Sequence, residues 1–373
     1  DAGRQVVTVE LEAREADWAV APGAVVRAWT FNGEVPGPVL EGRVGDVLEV
    51  RLTNRLPEAT AVHWHGMRLP APMDGTEMVQ PLVQPGETFT YRFKLLDAGT
   101  FWYHPHANET VQLERGLYGA LIVRGDDEPT LDREQVLVLD DLKLDRKGRI
   151  AKFGGLVQWH DGREGDARLV NGRVEPTLNI AAGQIERWRV VNAASARYVR
   201  LSIGGAQFRI LGTDGGLIEA PVAVTEVLLA PGDRVDLAVG PFAEGEELVV
   251  EALRYSRMTI KKRNTERFAT LRVGPAQAST AVVPERLRVI EPLAPSSAAP
   301  NRTVDFGIKL SLRRGVDFVV NGERHNVDAP VKIGELQVWD VVNSTMMDHP
   351  FHLHGYFFQV LSVNGKPPAF RSW

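Results

Sequence analysis

The 373-residue sequence predicts an all-β protein built as three β-sandwiches in series, the third incomplete. A long-range repeat is the first observation behind this. Asn32–Asn54 reads NGEVPGPVLEGRVGDVLEVRLTN, Asn171–Asn192 reads NGRVEPTLNIAAGQIERWRVVN, and Asn321–Asn343 reads NGERHNVDAPVKIGELQVWDVVN. The copies start 139 and 150 residues apart, a spacing that means duplicated domains, since solenoid repeats recur every ~20–50 residues. The second observation is local: each copy opens on Asn-Gly, a hairpin-turn dipeptide, and runs into a segment of strand-like alternation. Third, a Pro-Gly turn leads into another alternating strand in the first two copies, PGETFTYRF from Pro85 and PGDRVDLAV from Pro231. Helical periodicity is weak throughout.

The units divide at the places where this patterning stops, giving domains at 1–125, 126–290 and 291–373. Gly125 to Glu134 (GDDEPTLDRE) is a charged link, and Glu291 to Arg302 (EPLAPSSAAPNR) a Pro/Ala/Ser linker expected to be extended and exposed. The third unit is short. Only 30 residues follow Asn343, where the first unit uses about 70 after Asn54, so a sandwich cut there would leave apolar faces and strand edges uncovered.

Composition narrows the function. The net charge of −5 argues against nucleic acid as a partner, because phosphate-binding chains carry a basic surplus. No stretch approaches the ~20 apolar residues of a membrane-spanning helix. The chain holds no cysteine, which excludes disulfides, thiolate metal sites and cysteine nucleophiles among these residues. It opens at Asp1 with no signal peptide, as a processed or recombinant form would.

Seven of the nine histidines fall into three clusters: His63-Trp64-His65, His104-Pro105-His106, and the run His349-Pro350-Phe351-His352-Leu353-His354. Residues i and i+2 of a strand share a face, so each His-x-His is expected to present two imidazoles together. Neutral imidazole suits copper and zinc. His63 and His65 lie 9 and 11 residues beyond Asn54, and His352 and His354 lie 9 and 11 beyond Asn343. In the middle unit the same offsets land on Leu201 and Ile203, which cannot ligate. Units one and three are therefore expected to pool their histidines across a pseudo-symmetric seam, with the middle unit as a copper-free spacer. A single His-x-His on a strand is usually incidental. Three pairs, two of them at matching offsets in duplicated units, are not.

With NGEVPGP, HWHG, FWYHPH, NGRVEPTL and DHPFHLHG in order, the chain resembles the three-domain multicopper oxidases, bacterial laccases in particular, over essentially its whole length. The resemblance implies three cupredoxin-like Greek-key sandwiches and four coppers: one type 1, one type 2 and a type 3 pair. It implies one-electron oxidation of small phenolic or aromatic donors, reduction of dioxygen to water, and a periplasmic or extracellular location. Residue by residue, it implies His63 and His352 on the type 2 copper, and His65, His104, His106 and His354 on the type 3 pair. His349 would ligate the type 1 copper. Asp74 matches an acidic residue of the outer shell that orients water or relays protons, although Asp-Gly is also a favoured turn dipeptide in any β-protein. Asp348 is open in the same way, between orienting a ligand and standing as an exposed loop carboxylate. Trp64, Trp102 and Tyr103 read as core packing, and His160 and His325 as solvated loop residues.

The family's His-Cys-His motif is absent. In unit one the second cluster begins 39 residues after His65, and the same offset from His354 falls about 20 positions past Trp373, so the sequence reads as a truncated representation. Only six Met are present, and Arg254 to Phe268 (RYSRMTIKKRNTERF) is basic where cuprous-ion oxidases carry Met-rich inserts, which favours organic donors. The alternatives are a cuprous-ion oxidase, a copper-free or copper-binding cell-envelope relative without oxidase activity (relatives of that kind have generally lost the ligand histidines), a zinc hydrolase, and a copper nitrite reductase. The zinc reading lacks a carboxylate base inside any His motif, and nitrite reductases normally have two units per subunit. A blue copper centre needs a thiolate. These 373 residues, loaded with copper, are therefore expected to show no intense thiolate-to-copper absorption and no turnover of phenols; robust activity from mass-verified material of this length would overturn this.

Overall fold

A computed structural model describes residues 5–257, 260, 263–295, 297–311, 315–324 and 330–373. His325 and part of the basic Arg254–Phe268 segment lie outside the described residues. Strands dominate. Among the described residues the helical elements are Glu109–Gln112, Leu156–Asp161 and a 3-10 turn at Ala71–Met73.

The repeat has one structural meaning in all three copies. Asn32, Asn171 and Asn321 sit at φ of 57°, 49° and 50°, followed by Gly33, Gly172 and Gly322 at 86°, 70° and 78°. Successive positive φ is the turn an Asn-Gly pair forms most readily. Each turn is tied down identically, the Asn side-chain oxygen accepting from the backbone N–H of Glu12, Val138 or Asp305. The closing asparagines are equivalent too, each pinning a loop with its side-chain amide: Asn54 donates to the Val83 carbonyl, Asn192 to Leu229, and Asn343 to Met347.

Unit one is a sandwich of two four-stranded sheets. In the first, Val6–Ala21 runs parallel to Val47–Asn54 and antiparallel to Ala24–Phe31, with Thr88–Lys94 at the far edge. In the second, Gly119–Arg124 and Gly99–His104 lie between Leu40–Arg43 and the short strand His63–His65. Apolar side chains from both inner faces, among them Leu48, Val50, Trp64, Tyr91, Phe101 and Tyr103, fill the space between them. Unit two packs a seven-stranded sheet on a five-stranded one around Trp188, Phe208, Leu237 and Phe268. Among the described residues, unit three contributes one three-stranded sheet, in which Arg302–Ser311 pairs parallel with Trp339–Asn343 and antiparallel with Gly315–Val320. The parallel pairing repeats that of Val6–Ala21 with Val47–Asn54. Several large apolar side chains of this unit, Phe318, Val341, Tyr356 and Phe358, are exposed.

Units one and two are locked by a third core, where Trp18, Val35, Trp102 and Tyr118 meet Val138, Leu142, Leu169 and Val191. The middle Asn-Gly turn plugs into it: Trp18 Nε1 donates to the Gly172 carbonyl at 2.9 Å. A Cβ on Gly172 would stand 1.9 Å from the Val35 carbonyl oxygen, so only glycine fits. The charged link is not free chain. Arg133–Leu142 is already a strand, and Glu128 and Glu134 fold back onto Arg189 at 2.8 Å each. The described residues of the second linker before Arg302 form no helix or strand and are largely exposed, pinned where Gln359 bonds the backbone of Glu291 and Leu293.

Beneath Glu128 lies a buried charge network. The carboxylate of Asp236 receives Arg187 at 2.5 Å, Arg189 at 3.2 Å and the hydroxyl of Thr100 from unit one at 2.5 Å. Burial alone would raise the pKa of Asp236; the two guanidiniums and Thr100 overcome that and hold it below the ordinary range. Asp236→Ala, which leaves two buried cations short of their partner, should cost roughly 3–5 kcal/mol. Arg68→Ala, which breaks an exposed pair with Asp97, should cost under about 1 kcal/mol. Denaturant unfolding of both variants checks the contrast; equal costs would refute it.

Candidate metal centre

The strand His63–His65 pairs antiparallel with Gly99–His104, placing His63 opposite His104, Trp64 opposite Tyr103, and His65 opposite Trp102. Opposed residues share a face and neighbours alternate. Trp64 and Tyr103 therefore point into the unit-one core, with Trp64 packed edge-on against Tyr91. His63, His65 and His104 project from the other face. Trp102 shares that face, its ring stacked on His104 at 4.2 Å and leaning on His65 at 4.9 Å, so it packs against the histidines as well as in the inter-unit core. His106 follows past Pro105, which has no N–H with which to extend the ladder.

Unit three brings the rest. His352 stacks on His65 at 3.8 Å and His354 on His63 at 4.0 Å. His106 lies 5.2 Å from His354 and 5.6 Å from His63, ring centre to ring centre. Six imidazoles from units one and three thus meet at one seam. His352 and His354 do not lie on a strand, contrary to the expectation for a His-x-His pair. No described strand pairs with residues 349–362, yet the two rings still sit 4.7 Å apart.

Asp74 spans the seam. Its Oδ2 accepts from His354 Nδ1 at 2.7 Å, while His63 Nδ1 lies 2.8 Å from its backbone carbonyl and 3.3 Å from Oδ1. Burial works against ionisation here, but the hydrogen bonds from His354 and His63 prevail and hold the carboxyl far below its ordinary range. The turn reading is also right, because Asp74 closes the 3-10 turn Ala71–Met73 and hands over to Gly75 at φ 84°. A Cβ on Gly75 would lie 2.0 Å from the Val62 carbonyl oxygen. The tight approach that demands glycine is what brings the carboxylate under His63.

With Nδ1 of His63 engaged, its Nε2 faces His352 Nε2 at 3.3 Å, and His65 Nδ1 faces His104 Nε2 at 3.3 Å. Burial, reinforced by the neighbouring imidazoles, lowers the pKa of His63, His65, His104 and His352, the last to about 2. Neutral rings turning nitrogen lone pairs toward one another are the electronic state that ligates copper or zinc. The ligating atoms of His63, His65 and His352 lie within 4.8 Å of each other, as do those of His63, Asp74 and His354. The imidazole-rich donor set fits a cluster of borderline transition metals such as copper or zinc.

His349 stands apart. Its Nε2 meets the Thr345 hydroxyl at 2.8 Å, its ring stacks near Phe306, and it lines a cavity of about 370 Å³ with Phe153, Trp159, Tyr198, Met347 and Asp348. Asp348 is no idle loop carboxylate, since it accepts a hydrogen bond from Tyr255 at 2.8 Å. His160 lies on the short helix Leu156–Asp161, paired with Asp161 at 2.7 Å, and also lines this cavity. Two residues escaped sequence reasoning. Glu109, which opens the helix after His106, sits 3.5 Å from His104 Nδ1, and its closeness to the cluster in sequence was the available signal. Arg234, from the Pro-Gly landmark of unit two, reaches under Gly66 of the HWHG motif.

Models of the multicopper oxidase family match residues 12–128, 143–276 and 299–372. The chain is 31% identical to the multicopper oxidase MmcO of Mycobacterium tuberculosis, across 93% of its own length and 75% of that protein. It is 28% identical to the cell division protein FtsP of Xenorhabdus nematophila, over 96% and 77%. Among solved structures it superimposes on a multicopper oxidase from Campylobacter jejuni described as a metallo-oxidase, with a TM-score of 0.83 and 30% identity over 98% of this chain and 82% of that one. With its cupredoxin-type β-sandwich units and its clustered histidines, the chain belongs to the multicopper oxidase family.

Proposed function

We propose that the protein is a laccase-type multicopper oxidase, taking single electrons from small phenolic or aromatic donors and delivering four to dioxygen to form water. The observation that carries the reading is the meeting of His63, His65, His104 and His106 from unit one with His352 and His354 from unit three around nitrogen atoms 3.3 Å apart. In this reading His63 and His352 hold the type 2 copper, His65, His104, His106 and His354 hold the type 3 pair, and His349 belongs to the type 1 copper. Copper there would supply the one-electron storage that lets dioxygen be reduced without release of partly reduced oxygen.

The protein's own residues set the conditions for that chemistry. Asp74 fixes the Nδ1–H atoms of His63 and His354, which turns both Nε2 lone pairs inward. Held as a carboxylate beside the cluster, it can orient a water there and so direct the protons that water formation consumes. Trp102, buried and stacked on His104, keeps bulk water from the rear of the imidazoles. Close to His349, the cavity walls of Phe153, Trp159 and Tyr198 match the face of an aromatic donor. No helix among the described residues is long and apolar enough to cross a membrane; a periplasmic or extracellular location is part of the proposal.

Two other readings have support. The likeness to a protein described as a metallo-oxidase favours a metal-ion donor, and the likeness to FtsP favours a role in the cell envelope without oxidase activity. In the complete gene product, rates on a dimethoxyphenol should exceed those on Cu(I); the reverse ranking would select the metal-ion reading. Copper content separates the copper-free envelope reading, which predicts none, and the absence of any oxidase turnover would mark a copper-binding one. Asp74→Ala should weaken copper retention by about 10–100-fold in equilibrium dialysis, the usual loss when a partner orienting a ligand histidine is removed; unchanged retention would remove Asp74 from the site.

A further inference from the structure

The middle unit supplies no histidine to the seam, but it supplies a charge. Arg234 is 5% exposed and belongs to the turn Pro231-Gly232-Asp233-Arg234. In unit one the same landmark reads Pro85-Gly86-Glu87-Thr88, so the arginine is particular to unit two. Its guanidinium is held on several sides. Nε donates to the Thr100 carbonyl of unit one at 3.2 Å, Nη1 to the Gly232 carbonyl at 3.1 Å, and Nη2 to the Asp214 carbonyl at 2.9 Å. Nη1 also pairs with Asp214 Oδ1 at 2.8 Å.

Two glycines show how close this group comes to the histidines. A Cβ on Gly66, the residue after His65, would lie 2.2 Å from Arg234 Nη2, so the glycine of HWHG vacates the space that the guanidinium fills. A Cβ on Gly232, at φ 90°, would lie 3.1 Å from His65 Cε1 and 3.3 Å from its Nε2. The turn that Arg234 closes on itself is thus seated directly on the His65 ring. The positive charge is felt by His65 and by His352, the two rings stacked at 3.8 Å. The countercharge, Asp214, has a side chain 45% exposed, where water screens it; the guanidinium lies on the dry side.

We propose that Arg234 is a positioning residue for the metal centre, contributed by the unit that holds no ligands. It seats Gly232 against His65 and holds a fixed cation beside the stacked His65 and His352 rings, which favours the cuprous over the cupric state of the coppers they would hold, above all the type 2 ion at His352. The proposal rests on the copper reading above.

The test is a reductive titration of the copper-loaded protein, following the Cu(II) signal of the type 2 ion by electron paramagnetic resonance, with copper stoichiometry measured first. Arg234→Met should shift the Cu(I)/Cu(II) ratio at a given potential about tenfold toward Cu(II), or about 59 mV for a one-electron couple. Arg234→Lys, which keeps the charge, should restore most of it. Asp214→Asn, which removes the screened countercharge and leaves the backbone carbonyl in place, should move the ratio the opposite way. Equal ratios in the Met variant and the unsubstituted protein, or equal losses in the Met and Lys variants, would overturn the electrostatic role. Should Arg234→Met fail to fold or to hold copper, Asp214→Asn decides alone, and no shift toward Cu(I) counts against the proposal. An unsubstituted protein that binds no copper would instead sink the copper reading itself.

Discussion

The pairing of His63–His65 with Gly99–His104 is the constraint on which the rest depends. One register decides two things at once, because the two-residue pleat that sends Trp64 and Tyr103 into the core sends His63, His65 and His104 out on the opposite face. A slip of one residue would bury imidazoles among Tyr91 and Phe93 and expose two large aromatics. The burial of those aromatics thus holds the histidines in place. The core of unit one works as the template for the metal face, setting the side from which three of the six rings project.

The opposite half of the seam is held differently. His352 and His354 lie on irregular chain and are located by contacts from unit one: stacking on His65 and His63, and the hydrogen bond from His354 to Asp74. A single carboxylate therefore sets ring orientation on both sides. Unit two acts from beneath. Its Asp236 accepts from Thr100, and its Arg234 from the same sheet donates to the Thr100 carbonyl, so both grip the strand that carries His104. The two buried groups are opposite in sign and bind one residue of the neighbouring unit, fixing unit-two geometry relative to the histidine strand.

Much of this was legible in the sequence, and the reasons are physical. The Asn-Gly turns and the closing asparagines were readable because a positive-φ turn and a loop-closing amide each tolerate few residue types. The equivalence of His63 and His65 with His352 and His354 followed from offsets alone. Trp102 packs in a core as its sequence suggests, but its stacking on His104 was not readable, because alternation fixes which face a residue takes and not what waits there. Asp74 could not be decided in advance, since one Asp-Gly pair satisfies both a turn and a bridge between histidines, and the structure uses it for both. Arg234 reaches the site through packing between elements distant in sequence, where neither periodicity nor spacing leaves a trace, whereas Glu109 follows His106 by only three residues and was readable from that closeness. Asp348 and His160 belong to a cavity assembled from separate units, equally invisible to local pattern.

The Gly172 turn has a mechanical consequence. Its carbonyl is held by Trp18 and its α-carbon lies against the main chain at Val35, with no side chain between to act as a cushion. Such a joint leaves no room for sliding or rocking. Any breathing at the histidine seam must then come from the opposite flank, where irregular segments of the last unit lean on the first through aromatic rings.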